Sequence, residues 1–211
     1  MTNVGGLRGR LAVHGRALAL AGCWLALPVT AAAWSLQING ASPRVFLHVG
    51  TGTADGNNNT VDRVTANLST AQLLSGVPQA MTNSGGQSRS LSGDNFATCP
   101  TPSSQVLIGA SYRRNGNSQQ QARLSVTAPA NLVSTAGDTI PVSEISWTVS
   151  APGSPVPGII PAGTFVPGQQ PLANVPPNTF IENCHSFRYA NSAIRAAGTY
   201  DGTVTYTLSA P

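Results

Sequence analysis

Lysine is absent from this chain, and charge of either sign is scarce: eleven arginines face seven acids and three histidines among 211 residues. With so little charge there is no electrostatic footprint for nucleic acid or for an anionic membrane. Acids and histidines are too few to supply a base readily, and no G-x-S-x-G elbow is present, so hydrolase chemistry has little to work with. No Gly-rich phosphate loop precedes a helix, because Gly50 to Gly52 and Gly85-Gly86 sit among turn and β signals and read as loop punctuation. Long apolar runs are missing too. The longest, Ala17 to Val29, has 13 residues against the roughly 18 to 20 that cross a bilayer.

That apolar run does belong to a pattern. Arg8, Arg10 and Arg16 precede it and the small residues Ala31, Ala32 and Ala33 follow, the three-part arrangement of a secretory leader over residues 1–33. Removing it leaves residues 34–211 as one domain with eight arginines against seven acids, a net charge of about +1. The basic pI of the full chain thus resides in the leader. The implied location is periplasm, cell surface or extracellular space, with no transmembrane segment in the mature chain. Leu20 to Cys23 also resembles a lipobox, which would make Cys23 an acylated first residue; the short run before it and the apolar Trp24 to Leu27 after it argue for ordinary cleavage. With Cys23 in the leader, Cys99 and Cys184 remain as an even pair in an oxidising compartment, which points to a disulfide, the alternative being two buried thiols.

Short alternating runs split by Gly, Pro, Asn and Ser mark half-buried strands. They include Val45 to Val49, the set Val64, Ala66 and Leu68, and the set Ile145, Trp147 and Val149. Ser69 to Leu74 is the only helix candidate, barely more than a turn, the alternative being a continuation of the strand before it. Gln105 to Arg113 and Gln120 to Thr127 flank Asn115-Gly116, which predicts a tight hairpin with Arg113 and Arg114 as solvated charges at its tip. Between Ala151 and Asn178 there are eight prolines, so that stretch reads as a long surface connection with one short edge strand near Gly163 to Val166. Phe180 to Tyr189 reads as a strand. In Tyr200 to Leu208, Tyr200, Gly202, Val204, Tyr206 and Leu208 share one face of a single closing strand. The fold class expected is all-β: an Ig-like or Greek-key antiparallel β-sandwich with long Pro/Gly-rich loops.

The segment Ala197-Gly198-Thr199-Tyr200, followed by Thr203 to Leu208, resembles the closing strand of chaperone-usher pilin subunits and of spore coat protein U type domains. In those families a glycine begins the last strand, and Gly198 occupies that place. The resemblance implies an Ig-like fold secreted with a periplasmic chaperone and polymerised with other surface or pilus subunits by donor-strand addition, a form of β-augmentation. Trp34, Leu36 and Ile38 form the matching strand-exchange segment. The chain departs from that pattern at Ala210, where an aromatic is usual, in the wide Cys99 to Cys184 spacing, and at Gly40, which cuts the donor-like run short. Over its whole length the chain is similar to a group of exported proteobacterial proteins of no assigned activity. Ile145-Ser146-Trp147, Pro161 to Phe165 and Glu182 to Asn191 carry that likeness.

Catalysis and cofactors are not expected. Glu182, Cys184 and His185 invite an active-site reading, yet Cys184 and His185 are neighbours on a strand and point to opposite faces. His48 and His185 stand alone, without close-spaced metal partners. Asp55, Asn57 and Asn59 open like a calcium loop, but Thr60 and Ala66 replace its glycine and its glutamate. The expected function is that of an exported structural or interaction protein, pilin-like or surface-associated. The alternative is a periplasmic or secreted binding module for a carbohydrate or other small ligand, using the loops Gly76 to Pro102 and Ala151 to Asn178 and the aromatics Tyr112, Trp147, Tyr189 and Tyr200.

Overall fold

A computed structural model describes residues 44–51, 62–87, 99–116, 119–150 and 159–211. The leader, Cys23, the segment holding Trp34, Leu36 and Ile38, and Asp55 to Asn59 lie outside these residues. The chain opens with β1 (Arg44–Val49), β2 (Val64–Thr65), a short helix α1 (Thr70–Ser75), β3 (Gln79–Ala80) and β4 (Thr82–Asn83). Next come β5 (Val106–Arg113), β6 (Ala122–Ala128), β7 (Asn131–Ser134), β8 (Thr139–Pro141) and β9 (Ile145–Ser150). The last five are β10 (Gly163–Thr164), β11 (Gly168–Val175), β12 (Thr179–Tyr189), β13 (Tyr200–Asp201) and β14 (Thr205–Ser209).

The strands form antiparallel sheets packed together, an all-β sandwich. The larger sheet runs β1-β5-β12-β9-β10, with β3 pairing the end of β12; a second runs β11-β6-β14 and a third β13-β7-β8. The period-2 alternation explains the core. Ile108, Ala110 and Tyr112 of β5, Ile181 and Phe187 of β12, and Ile145 and Trp147 of β9 meet Leu124 and Val126 of β6 and Val175 of β11 between the sheets. The helix is held by its cap: the Ser69 hydroxyl accepts from the Gln72 amide, the Gln72 side chain accepts from the Ser69 amide, and Gly76 closes it with φ 65°.

Three sequence expectations need correction. Strands β5 and β6 form on either side of Asn115-Gly116, but they do not pair with each other. β5 bonds to β1 and β12, while β6 bonds to β11 and β14, so the connection is an arch between sheets and not a hairpin. Local turn chemistry permits both outcomes; burying the apolar faces of both strands in one core selects the arch. Second, the proline-rich stretch holds β11, an eight-residue strand. It tolerates Pro171 because it lies at a sheet edge, and its register shifts between Pro171 and Ala173. Third, the closing run is two strands. β13 pairs with β7 and β14 with β6. At Gly202 the chain passes so close to Leu132 that a Cβ would lie 2.4 Å from its Cδ2.

Packing is tight where β10 crosses Trp147. The indole donates to the Pro161 carbonyl at 2.9 Å, and a Cβ on Gly163 would lie 2.7 Å from the ring. Gly163→Val is therefore expected to destabilise the fold by about 1–3 kcal/mol through overpacking. Urea unfolding should show a lower midpoint at unchanged slope; an unaltered midpoint would contradict this packing.

Candidate functional site

The residues singled out for chemistry cluster on β12. Its neighbours are β5 on one side and β9 on the other, so it is central, and Ile181 to His185 are buried without a break. Alternation then sends Ile181, Asn183 and His185 into the sandwich and Glu182 and Cys184 to the outer face. On that outer face Cys184 is disulfide-bonded to Cys99, with Leu107 packed beside them. Cys184 and His185 do not meet, and the cysteine is not a free nucleophile.

His185 lies inside an aromatic cluster. Its ring stacks on Trp147 at a 6.1 Å centroid distance and 9° between planes, and Phe187 stands 6.1 Å away. Phe165 completes the group, 4.7 Å from Trp147 and 6.0 Å from Phe187. Neither ring nitrogen of His185 has a hydrogen-bond partner. Burial alone pushes its pKa from 6.5 down to about 3, so the ring is neutral and behaves as a flat apolar plate. Tyr112, Trp147 and Tyr189 are likewise buried core side chains, and Tyr200 is half-buried with its hydroxyl donating to the Ala196 carbonyl at 2.8 Å. These four aromatics do not form an exposed binding platform.

Two polar clusters were not legible in the sequence. On the outer face, His48 of β1 and Glu182 of β12 both register with Gly109 of β5, and both are buried. The Phe180 ring covers the gap; a Cβ on Gly109 would lie 3.2 Å from it. His48 Nε2 donates to the Gly50 carbonyl at 2.5 Å, and burial, the largest influence, holds its pKa below the ordinary value. Nearby, Asp62 accepts from the Thr51 amide at 3.0 Å, the Thr51 hydroxyl at 2.7 Å and the Asn83 amide group at 2.9 Å. Its carboxylate presses on the backbones of Gly50 and Gly85, where a Cβ would come within 2.3 Å and 2.2 Å of it. Gly50 also has φ 63°, so these glycines are required by close approach and, at Gly50, by conformation. No local signal marks Asp62, because its partner Asn83 is 21 residues away.

The second cluster ties the end of β12 to the chain that follows it. Glu144 accepts from the amide and the hydroxyl of Ser192 and pairs with Arg195 at 3.9 Å. Asn191, buried at φ 55°, donates to the carbonyls of Gln72 and Val77. Burial, with the Glu144 carboxylate behind it, raises the Tyr189 phenol above its ordinary pKa. These bonds order loops and leave no nucleophile–base pair. Among the described residues no group of three His, Cys, Asp or Glu is placed to hold a metal ion, and no helix is long and apolar enough to cross a membrane.

Of the closing-strand residues, Tyr200 lies in β13, Tyr206 and Leu208 in β14, and Val204 between them. All four pack on the core, while Gly198 sits just before β13 beside Ser134. β14 forms one edge of its sheet, and β1 forms an edge of the larger sheet; the two lie against each other without pairing. No family model, curated protein or solved structure matches this chain.

Two outcomes follow from this site. The disulfide closes a loop of 85 residues, and replacing both cysteines by alanine should cost up to about 4–5 kcal/mol of stability in the chain-entropy account. Denaturant midpoints of wild type and C99A/C184A measure it. For His185 the unfolded chain binds a proton below pH 6.5 and the folded chain does not until about pH 3. Stability from its neutral burial is complete above 6.5 and falls with pH across that window, by up to about 1.4 kcal/mol per pH unit. His185→Phe keeps the ring and removes the proton site, so its stability-versus-pH curve should be flatter than wild type between pH 6.5 and 3; parallel curves would refute the assignment.

Proposed function

We propose that this chain is an exported structural protein that assembles with copies of itself or with other surface subunits by strand addition. The acceptor is the edge where β1 and β14 come together. One observation carries the reading: among the described residues, these two are the edge strands longer than three residues that contain no proline. An edge strand offers unpaired N–H and C=O groups to any extended segment, and proteins usually blunt it. β11 is blunted by Pro171 and its register shift, and β10 has only two residues. β14, with the sequence Thr-Tyr-Thr-Leu-Ser, has neither charge nor proline, and β1 carries one charge outside its centre, at Arg44. A strand lying between them would hydrogen-bond to either sheet and extend it.

The donor in this reading is the run Trp34, Leu36 and Ile38, whose alternation suits a groove between two sheets. Export follows from the leader, and the cysteine pair at bonding distance is compatible with an oxidising compartment. A periplasmic chaperone would hold the exposed edge before assembly. The small-ligand binding module is the weaker reading, because three of its four aromatic candidates are consumed by the core.

Purified mature protein is expected to form ladders of oligomers that resist mild detergent, and deletion of residues 34–39 should abolish them. Thr207→Pro, which puts a proline in the middle of β14, should weaken assembly while a circular dichroism spectrum shows retained β structure. A wild-type protein that remains a soluble monomer at every concentration would exclude assembly by strand addition.

A further inference from the structure

The charges of the described residues are sorted between the two ends of the sandwich. At one end Arg44 of β1 registers directly opposite Arg113 of β5, Arg114 follows in the arch, and Arg123 lies at the start of β6. No described carboxylate lies at that end. Asp62 bonds to Thr51 just past the far end of β1, and Glu144 precedes Ile145, which registers with Tyr189 at the far end of β12. Asp138 follows β7, and Asp201 registers with Val133 of β7, which itself comes after the far end of β6. Glu182 is in the middle of β12. The remaining described arginines, Arg63, Arg188 and Arg195, sit among the acids of the far end. β5 has eight residues, so about 27 Å separates the two ends, several Debye lengths at physiological salt. The near-neutral net charge of the mature chain conceals a basic end.

The arrangement of that end selects a kind of partner. Like charges directly opposite on neighbouring strands destabilise a sheet, and Arg44 with Arg113 is such a pair. Arg44 and Arg113 share the outward face of the larger sheet, Arg123 is exposed on the outward face of the second, and Arg114 lies in the connection between them. The Arg114 amide donates to Asn178 Oδ1 at 2.9 Å, and its guanidinium donates to Gln120, which anchor the arch. The four guanidinium groups therefore form a track around the rim of the sandwich and not a pocket. Guanidinium pairs in bidentate fashion with carboxylate, sulfate or phosphate. A track fits a chain of repeating anions. Among the described residues at this end Val45 is the one exposed large apolar side chain, too little for insertion into a bilayer, and the rings there are half-buried (Phe46, Phe180) or buried (Tyr112), so none stands exposed for a base to stack on.

We propose that the rim defined by Arg44, Arg113, Arg114 and Arg123 binds an extended acidic polysaccharide. The contact differs from strand addition, since it uses side chains on the outward faces and in the arch, whereas strand addition uses the backbone rims of β1 and β14. The test compares two double variants that remove equal charge: R44S/R114S at the basic end and R63S/R188S at the far end. Binding to dextran sulfate is measured at low ionic strength (about 50 mM salt), where surface contacts are least screened. R44S/R114S should bind roughly tenfold more weakly than wild type, with a shallower dependence on salt, and R63S/R188S should bind as wild type. Equal loss in both variants would reduce the effect to net charge and overturn the proposal. So would no binding by the wild-type protein, or preferential binding to single-stranded DNA or to anionic phospholipid vesicles over the polysaccharide. Thermal unfolding of each variant guards against reading a folding defect as lost binding, and Arg44→Lys, which keeps the charge, should retain part of the affinity.

Discussion

Five consecutive residues of β12, Ile181 to His185, are buried, although neighbours on a strand point to opposite faces. Both faces of the larger sheet must therefore be covered at this point, and the rest of the molecule is arranged to do so. One face is covered by the second sheet, through Leu124, Val126 and Val175. On the other, Cys184 is tied to Cys99, and Leu107 packs with both. A strand covered on both sides exchanges water for contact at every residue, so it accepts a histidine only as a neutral ring and a carboxylate only in company. His185 meets the first condition between Trp147 and Phe187.

The same constraint explains how the buried and half-buried carboxylates near the far end of the large sheet are satisfied. Asp62 gathers Thr51 and Asn83, and Asn83 in turn reaches the carbonyl of Gln105 at 2.9 Å, one residue before β5. Glu144 gathers Ser192 and Arg195 at the entry to β9. Each carboxylate has its oxygens committed to loops that hold the large sheet at its far end. That commitment accounts for the acids at the far end, where loops need fastening. What remains open is the edge at β1 and β14, where no described strand supplies the missing hydrogen bonds.

Much of the fold was legible because it follows from local alternation. Arg44–Val49, Val106–Arg113 and Ile145–Ser150 coincide with runs in which every second residue is apolar, and Thr179–Tyr189 with a run of mixed character. The short helix was legible only as one of two readings of Ser69 to Leu74, and the capping box of Ser69 and Gln72 in the structure decides for it. β11 was not legible, since proline normally excludes a strand and only its edge position makes Pro171 harmless. The arch at Asn115-Gly116 was misread as a hairpin because a turn-forming dipeptide does not state which sheet the next strand joins. The split of the closing run at Gly202 was hidden as well, because Tyr200, Val204, Tyr206 and Leu208 keep their alternation through the bend.

The sequence by itself determined the class of fold, the strand faces, and the separation of Cys184 from His185, because period-2 alternation acts within a few residues. It also determined which two cysteines remain once residues 1–33 are set aside. Only the tertiary structure decided which strands pair, which edges stay bare, that His185 is sealed among aromatic rings, and that the arginines gather at one end. Those are relations between residues tens of positions apart in the chain, set by how sheets stack to bury their apolar faces, and no local pattern encodes them.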